Sequence, residues 1–206
     1  MKTMPTLIAL SLAAVLAGCA GKPTRYYTLA GVAGQAASVR TAGDAALFIE
    51  LAPVAVPERL ARPQLVVQQQ GTAQGPQVEV LEQHRWSSSF ELELRDALAD
   101  GIASRLGAID LTKGGRQAGQ PTWRIAVQLN RFEAVENNRI DAAFSWTVRR
   151  ADQERSAVCQ WSASEPVGAG IDALAQGAQR LSAQAAETIA RHLAALQQNP
   201  AASCQI

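Results

Sequence analysis

The spacing of apolar residues changes along the chain, and the changes divide it into strands and helices. In the C-terminal half, three segments beginning at Trp123, Ile140 and Ala157 alternate apolar and polar side chains with period two. The polar stretches at residues 136–138 and 152–154 separate them. Such alternation over this length predicts an antiparallel meander with one buried face.

Two longer segments, residues 88–106 and 170–196, place apolar residues every third or fourth position, which predicts amphipathic helices. Their stripes consist of Leu94, Leu98, Ile102 and Leu106 in the first, and of Leu174, Ala178, Leu181, Ala185, Ile189, Leu193 and Leu196 in the second. Ser88 and Glu91 fit a capping box at the start of the first helix. Gly107 stands at its expected end. We expect Glu93 to face water.

The N-terminal half is less regular. Short apolar runs predict strands at residues 26–29, 46–56, 65–69 and 78–81, and the glycines of residues 71–75 suggest a hairpin between the last two. Strands do not alternate with helices, which argues against a doubly wound dinucleotide fold. The elements together predict one α+β domain, in which an antiparallel or mixed sheet carries two long amphipathic helices.

The first nineteen residues indicate export and lipidation. Lys2 precedes an apolar stretch at residues 4–16, and Leu16-Ala17-Gly18-Cys19 follows in the pattern of a bacterial lipobox. A secretory signal with a chance cysteine is the alternative. We therefore divide the chain into a signal peptide (1–18), an acylated tether (19–25), a folded domain (26–197) and a flexible tail (198–206).

Acylation of Cys19 would anchor the domain without a membrane-spanning helix. Each buried methylene contributes about 0.8 kcal/mol, so two or three palmitate-length chains hold a protein on a bilayer. Ala20 rather than Asp follows the cysteine. In sorting of the enteric type, this choice favours the outer membrane over the inner one. We expect the domain on the periplasmic side of the outer membrane.

Charge and composition narrow the classes of partner. Lys plus Arg total 19 and Asp plus Glu total 18, so removal of Lys2 with the signal leaves 18 against 18, a net charge of zero. This balance argues against a nucleic-acid binder, which would need a basic face, and removes any general electrostatic attraction to anionic lipid. The periplasm permits a disulfide between Cys159 and Cys204. A buried apolar Cys159 with a free thiol at Cys204 is the alternative.

The sequence contains no recognisable catalytic motif. The two histidines, His84 and His192, are separate in sequence from cysteines and acidic pairs, and we expect His192 on a helix surface and no metal. Neither a nucleophile elbow nor a phosphate-binding loop occurs. The sequence predicts a protein that is not an enzyme and needs no cofactor.

The remaining candidates are residues for binding. Arg59 and Arg62 lie between two prolines, and they can pair with carboxylates of a partner or be exposed on a proline-rigid turn. Trp86 precedes the first helix and can anchor a partner or join the core. For Trp123, Trp146 and Trp161, on alternating strands, we favour the core.

Several of these segments occur together in a known order. Cys19 is followed closely by Tyr26-Tyr27-Thr28-Leu29, and Val56-Pro57-Glu58-Arg59-Leu60-Ala61-Arg62-Pro63 comes next. Arg85-Trp86 then precedes a helix that ends in Ser104-Arg105-Leu106. This arrangement resembles the PqiC-like (YmbA-like) auxiliary lipoproteins of ABC-type intermembrane transport systems. The chain departs from the family after Trp86, where serines replace the usual proline and leucine.

The resemblance implies a non-enzymatic adaptor on the outer membrane that maintains envelope integrity. Such a protein docks with a periplasmic tunnel or shuttle protein carrying MCE domains and, through it, with inner-membrane permease components. The implied cargo is phospholipid, and a ring-shaped homo-oligomer is implied as well. Arg59, Arg62 and Trp86 are then candidates for the partner contact. A periplasmic lipid-binding carrier is the alternative function, and an envelope hydrolase is a weaker one.

Overall fold

The computed structural model describes residues 23–31, 47–68, 77–114, 121–150 and 156–204. Cys19, the signal peptide and the predicted hairpin turn at residues 71–75 lie outside these ranges. The described elements are, in order, β1 (Arg25–Tyr27), β2 (Phe48–Leu51), a 3-10 turn (Glu58–Leu60), β3 (Gln64–Val67), β4 (Glu79–Trp86), α1 (Phe90–Leu106), β5 (Ile109–Asp110), β6 (Thr122–Val135), β7 (Arg139–Arg150), β8 (Ser156–Pro166) and α2 (Ile171–Gln198).

The larger sheet has five strands in the order β5-β2-β6-β7-β8. Its last three strands form the predicted antiparallel meander, and β2 adds to β6 in parallel. Pairs such as Val127 with Trp146 lie on the buried face. A register shift between Leu129 and Arg131 changes the phase of β6, so that Phe132 rather than Arg131 is buried. The sheet is mixed, as the sequence predicts.

A smaller sheet of three strands, in the order β1-β4-β3, stands beside the larger one. We expected a single sheet, because period two identifies strands but does not reveal which strands pair. Within the small sheet, β1 runs parallel to β4, and β3 pairs with β4 in antiparallel fashion. The β4 strand continues to Trp86, five residues beyond the predicted end at Leu81. Gln68 links the two sheets through a bridge to Val135.

The two helices pack against each other and against the large sheet. All the predicted stripe positions of α2 are buried, from Leu174 to Leu196. A Cβ atom added at Gly101 of α1 would lie 2.8 Å from the Cβ of Ala186 in α2, so the helices approach each other closely at this point. These findings confirm the α+β fold with two amphipathic helices.

The beginning of α1 differs from the prediction. The helix begins at Phe90, its N-cap is Ser89, and this cap makes no side-chain hydrogen bond, so the capping box of Ser88 and Glu91 is wrong. Glu93 is 8% exposed and faces inward rather than toward water. The end of the helix is as predicted, because Gly107 adopts φ 57° and caps it in the left-handed conformation.

The chain after α2 also differs from the prediction of a flexible tail. Ala202 and Cys204 pack against the core, and Cys204 is bonded to Cys159 of β8. Residues 199–204 are therefore held to the large sheet. Among the described helices, no segment combines the length and apolar character needed to cross a bilayer.

Candidate interaction surface

The segment from Pro57 to Pro63 is held rigidly at the junction of the two sheets. The amide of Leu60 donates a hydrogen bond to the carbonyl of Pro57 (2.8 Å), which closes the 3-10 turn, and Leu60 is 5% exposed. The carbonyl of Pro63 accepts a hydrogen bond from the amide of Trp86 (2.6 Å). Two prolines and these bonds leave the turn little conformational freedom to lose on binding.

Arg59 and Arg62 project from this turn into solvent. Neither guanidinium makes a hydrogen bond or an ion pair within the ranges that the structure describes. The backbone carbonyl of Arg62 accepts the amide of Phe90 (3.3 Å), which ties the turn to the start of α1. The two side chains thus offer charge-assisted donors on a fixed backbone, the arrangement that suits bidentate recognition of carboxylates.

A cleft of about 280 Å³ opens next to Arg59, between β3 and the end of β6. Its walls include the apolar side chains of Leu60, Val66 and Phe132. Arg59 and Glu133, of opposite charge, also line it. An apolar floor with charged groups of both signs can receive an apolar side chain of a partner and pair with charges beside it.

The structure removes Trp86 from the predicted contact surface. Its side chain is 4% exposed and packs against Phe90, with ring centroids 5.6 Å apart, and against Tyr27 at 6.4 Å. The β4 strand turns this residue toward the core, so the indole is not available to a partner. Trp146 is buried, while Trp123 and Trp161 pack partly buried against the core, in agreement with the predicted core role.

Glu93 is a buried carboxylate that sequence reasoning missed. Its oxygens accept hydrogen bonds from the hydroxyls of Ser87, Ser88 (3.2 Å) and Thr28 (2.9 Å) and from the amide of Leu29 (2.9 Å). Burial raises the pKa of Glu93, but these hydrogen bonds outweigh it and hold the pKa below its ordinary value. The hydroxyl-rich run before α1 is the signal that could have revealed this site.

A second polar cluster joins β1 to the start of α2. Arg25 pairs with Asp172 (2.9 Å), and the Tyr27 hydroxyl donates to the same carboxylate (2.7 Å). The Tyr27 oxygen also lies 2.8 Å from Nδ1 of His84, which supplies the hydrogen of that second bond. Burial, then the hydrogen bond to Asp172, raises the pKa of Tyr27 to about 12. The Tyr27 and Arg25 hydrogen bonds lower the pKa of Asp172.

The prediction that His192 lies on a helix surface is wrong. The residue is 3% exposed, and its Nδ1 accepts a hydrogen bond from Nε1 of Trp146 (3.1 Å). Burial lowers the pKa of His192. Sγ of Cys159 lies 3.3 Å from Nδ1, and Cys204 completes a group with metal-ligating atoms. The two sulfur atoms are bonded to each other, which occupies them and leaves the histidine without a thiolate partner.

Comparisons with known proteins identify the class. Residues 27–190 match the family described as the ABC-type transport auxiliary lipoprotein component. The chain belongs to this family, which confirms the resemblance seen in the sequence. It is therefore classed with membrane-anchored lipoproteins that assist ABC-type transport, and the family description is that of a transport component rather than an enzyme.

Solved structures agree on the fold. An uncharacterized protein superposes with a TM-score of 0.62 at 19% identity, covering 84% of this chain and 99% of that chain. A protein from Xanthomonas campestris gives a TM-score of 0.57 at 12% identity, covering 87% and 91% respectively. At these identities the likeness concerns the fold alone. No curated protein matches the sequence significantly.

Proposed function

We propose that the protein is an adaptor lipoprotein, anchored through acylated Cys19 to the periplasmic face of the outer membrane. It assists an ABC-linked transport system that moves lipid between membranes and so maintains envelope integrity. The family match over residues 27–190 is the observation that carries this proposal. The lipobox at Leu16-Ala17-Gly18-Cys19 supports the anchor, and Ala20 supports outer-membrane sorting.

The partner in this proposal is an MCE-domain tunnel or shuttle protein, which connects the adaptor to inner-membrane permease components. Arg59, Arg62 and the adjoining cleft form the contact, because they combine free positive charge with a rigid backbone and an apolar recess. Ring-shaped homo-oligomers would present several copies of this surface around one tunnel. Multiple weak contacts of that kind give strong binding through avidity.

The cleft beside Arg59 suits a side chain of a protein partner better than a phospholipid. Pockets that enclose drug-sized ligands span roughly 300–1,000 Å³. At about 280 Å³, the cleft is smaller than that range, and a phospholipid with two acyl chains is larger than a drug-sized ligand. One protruding side chain of a protein partner fits it better.

Crosslinked pull-down from bacterial envelopes tests the partner contact. Replacing Arg59 and Arg62 with alanine is expected to reduce recovery of the MCE-domain protein. The matched control replaces Arg149 and Arg191, which are exposed on β7 and α2, and so removes the same charge elsewhere. Equal recovery with both double variants, in folded protein, would rule out the arginine contact.

Labelling with radioactive palmitate tests the anchor separately. The wild-type chain should incorporate label and sediment with outer membranes, and a Cys19→Ser variant should do neither. Label in the wild type that fractionates with the inner membrane would contradict the sorting proposed from Ala20.

A further inference from the structure

The chain enters the folded domain at the N-terminal end of α2. Arg25, the first residue of β1, pairs with Asp172 in the first turn of that helix, with a nitrogen–oxygen distance of 2.9 Å. Tyr27, at the end of β1, donates a hydrogen bond to the same carboxylate. The point of attachment is therefore fixed by side-chain contacts as well as by the pairing of β1 with β4.

Two connections of the large sheet lie at the same end of the domain. The amide of Gly170 donates to the side-chain oxygen of Asn137 (2.8 Å), and the amide of Val167 donates to the carbonyl of Asn138 (2.8 Å). The β6–β7 turn and the β8–α2 loop are thus in contact with each other and with the beginning of α2. We name residues 25–26, 136–138 and 166–172 together the tether end.

The length of the preceding chain limits how far this end can lie from a lipid anchor. Arg25 lies six positions after Cys19, and six extended residues span at most about 22 Å. The α2 helix has 28 residues and is therefore about 42 Å long. The chain cannot reach from the far end of α2 to Cys19, so the tether end lies nearer to the acyl chains than the far end of α2 does.

The surface of the tether end suits the interface of a bilayer. Tyr26 is 66% exposed, and tyrosine is enriched where apolar and aqueous regions of a membrane meet. Residues 166–170 carry no charged side chain. Arg25, the arginine of the tether end, is paired with Asp172, and the neighbouring Arg139 is paired with Asp141, while Glu136 adds a carboxylate. A surface without surplus positive charge matches zwitterionic headgroups and gains little from anionic ones.

We propose that the tether end rests on the lipid surface, with Tyr26 at the headgroup level and α2 directed away from the membrane. This inference rests on the proposed acylation of Cys19. It assigns a second interaction surface, distinct from the turn at residues 59–62 (the arginine turn), whose partner is a lipid bilayer. It also sets the free end of α2 and residues 199–204 on the side away from the bilayer.

Fluorescence quenching in vesicles tests this orientation. The acylated full chain is inserted into phosphatidylcholine vesicles that contain lipids with a nitroxide on the headgroup. An environment-sensitive dye is attached at Ala169→Cys, in the tether end, or at Gln198→Cys, at the far end of α2; both positions are exposed. We expect loss of fluorescence at position 169 and no loss above background at position 198.

The outcomes separate this inference from the anchor on which it depends. Quenching at both positions would show that the domain lies with α2 along the membrane, and quenching at neither would show that the domain is held clear of the membrane. Either result would overturn the proposed orientation without contradicting the anchor. A chain that does not sediment with vesicles refutes the anchor and the orientation together. Adding anionic lipid should not increase the quenching, and a marked increase would contradict a contact without surplus positive charge.

A pair of substitutions isolates the contribution of Tyr26. Tyr26→Ala should reduce the quenching at position 169, because the aromatic ring no longer holds this end at the interface. Val158→Ala truncates another exposed apolar side chain, on β8, and should leave the quenching unchanged. Equal quenching in the two variants would remove Tyr26 from the contact.

Discussion

The bond between Cys159 and Cys204 yields a quantitative prediction for Cys204→Ser. The cysteines are 45 positions apart, and the bond closes β8, α2 and the segment after α2 into one loop. Constraining a loop of that length in the unfolded chain stabilises the folded state by about 4 kcal/mol in the chain-entropy model. Cys204 is only partly buried, so exchanging its sulfur for oxygen adds little beyond loss of the bond.

Urea unfolding under oxidising conditions measures this effect. Trp146 lies in the core beside His192, so tryptophan fluorescence reports the loss of packing around the disulfide. With a urea dependence of about 2 kcal/mol per molar, a loss of about 4 kcal/mol lowers the midpoint by about 2 M. The wild-type protein in reductant should unfold near the midpoint of the variant.

Reductant provides the internal control, because it should not shift the midpoint of Cys204→Ser. The reasoning is refuted if the oxidised wild-type protein and the variant unfold at the same urea concentration. A fall in midpoint that reductant does not reproduce in the wild type would instead assign the effect to the serine side chain.

Three further predictions concern buried groups and helix packing. Glu93→Gln should lower the free energy of unfolding by about 1–3 kcal/mol in urea at pH 7, because four donors lose a charged acceptor. The pKa of Glu93 is lowered in the folded state, so this loss should shrink as the pH falls below the unfolded pKa of about 4.3, and a loss that stays constant with pH would contradict the reasoning. Burial lowers the pKa of His192, so its contribution to the free energy of unfolding is complete above about pH 6.5 and is lost as the pH falls through the lower pKa of the folded state. His192→Phe should therefore make the free energy of unfolding depend less on pH between pH 7 and 5, and an unchanged dependence would argue against burial as the cause. Gly101→Val should lower the free energy of unfolding by about 1–3 kcal/mol in thermal or urea unfolding, since the new side chain would meet Ala186. Ala183→Val, at an exposed position of α2, should have a smaller effect.

Local pattern accounts for most of the fold. The apolar stripe from Leu174 to Leu196 and the period-two strands can be predicted because each spacing reports one buried face of one element. Strand order cannot be predicted in this way. The pairing of β1 with β4 joins segments 59 residues apart, from Arg25 to His84, and nothing in either segment specifies the other.

The polar sites were hidden for the same reason. Glu93 is buried because Thr28 and Leu29 come from the segment after β1, and His192 is buried because Trp146 and Cys159 come from two strands of the large sheet. In each case the compensating partner is remote in sequence. From sequence alone, an isolated charged or imidazole side chain on a helix is predicted to face solvent, because its buried partners cannot be identified.

The attachment of β1 also determines how the domain responds to mechanical load. A pull on the chain before Arg25, directed along β1, shears the whole β1–β4 ladder at once rather than opening it one bond at a time. The ion pair of Arg25 with Asp172 and the hydrogen bond from Tyr27 share the same force and pass it into α2. Part of the tension from a membrane is thereby carried by α2, and the rest passes through β4 to the turn that its Trp86 amide holds at Pro63.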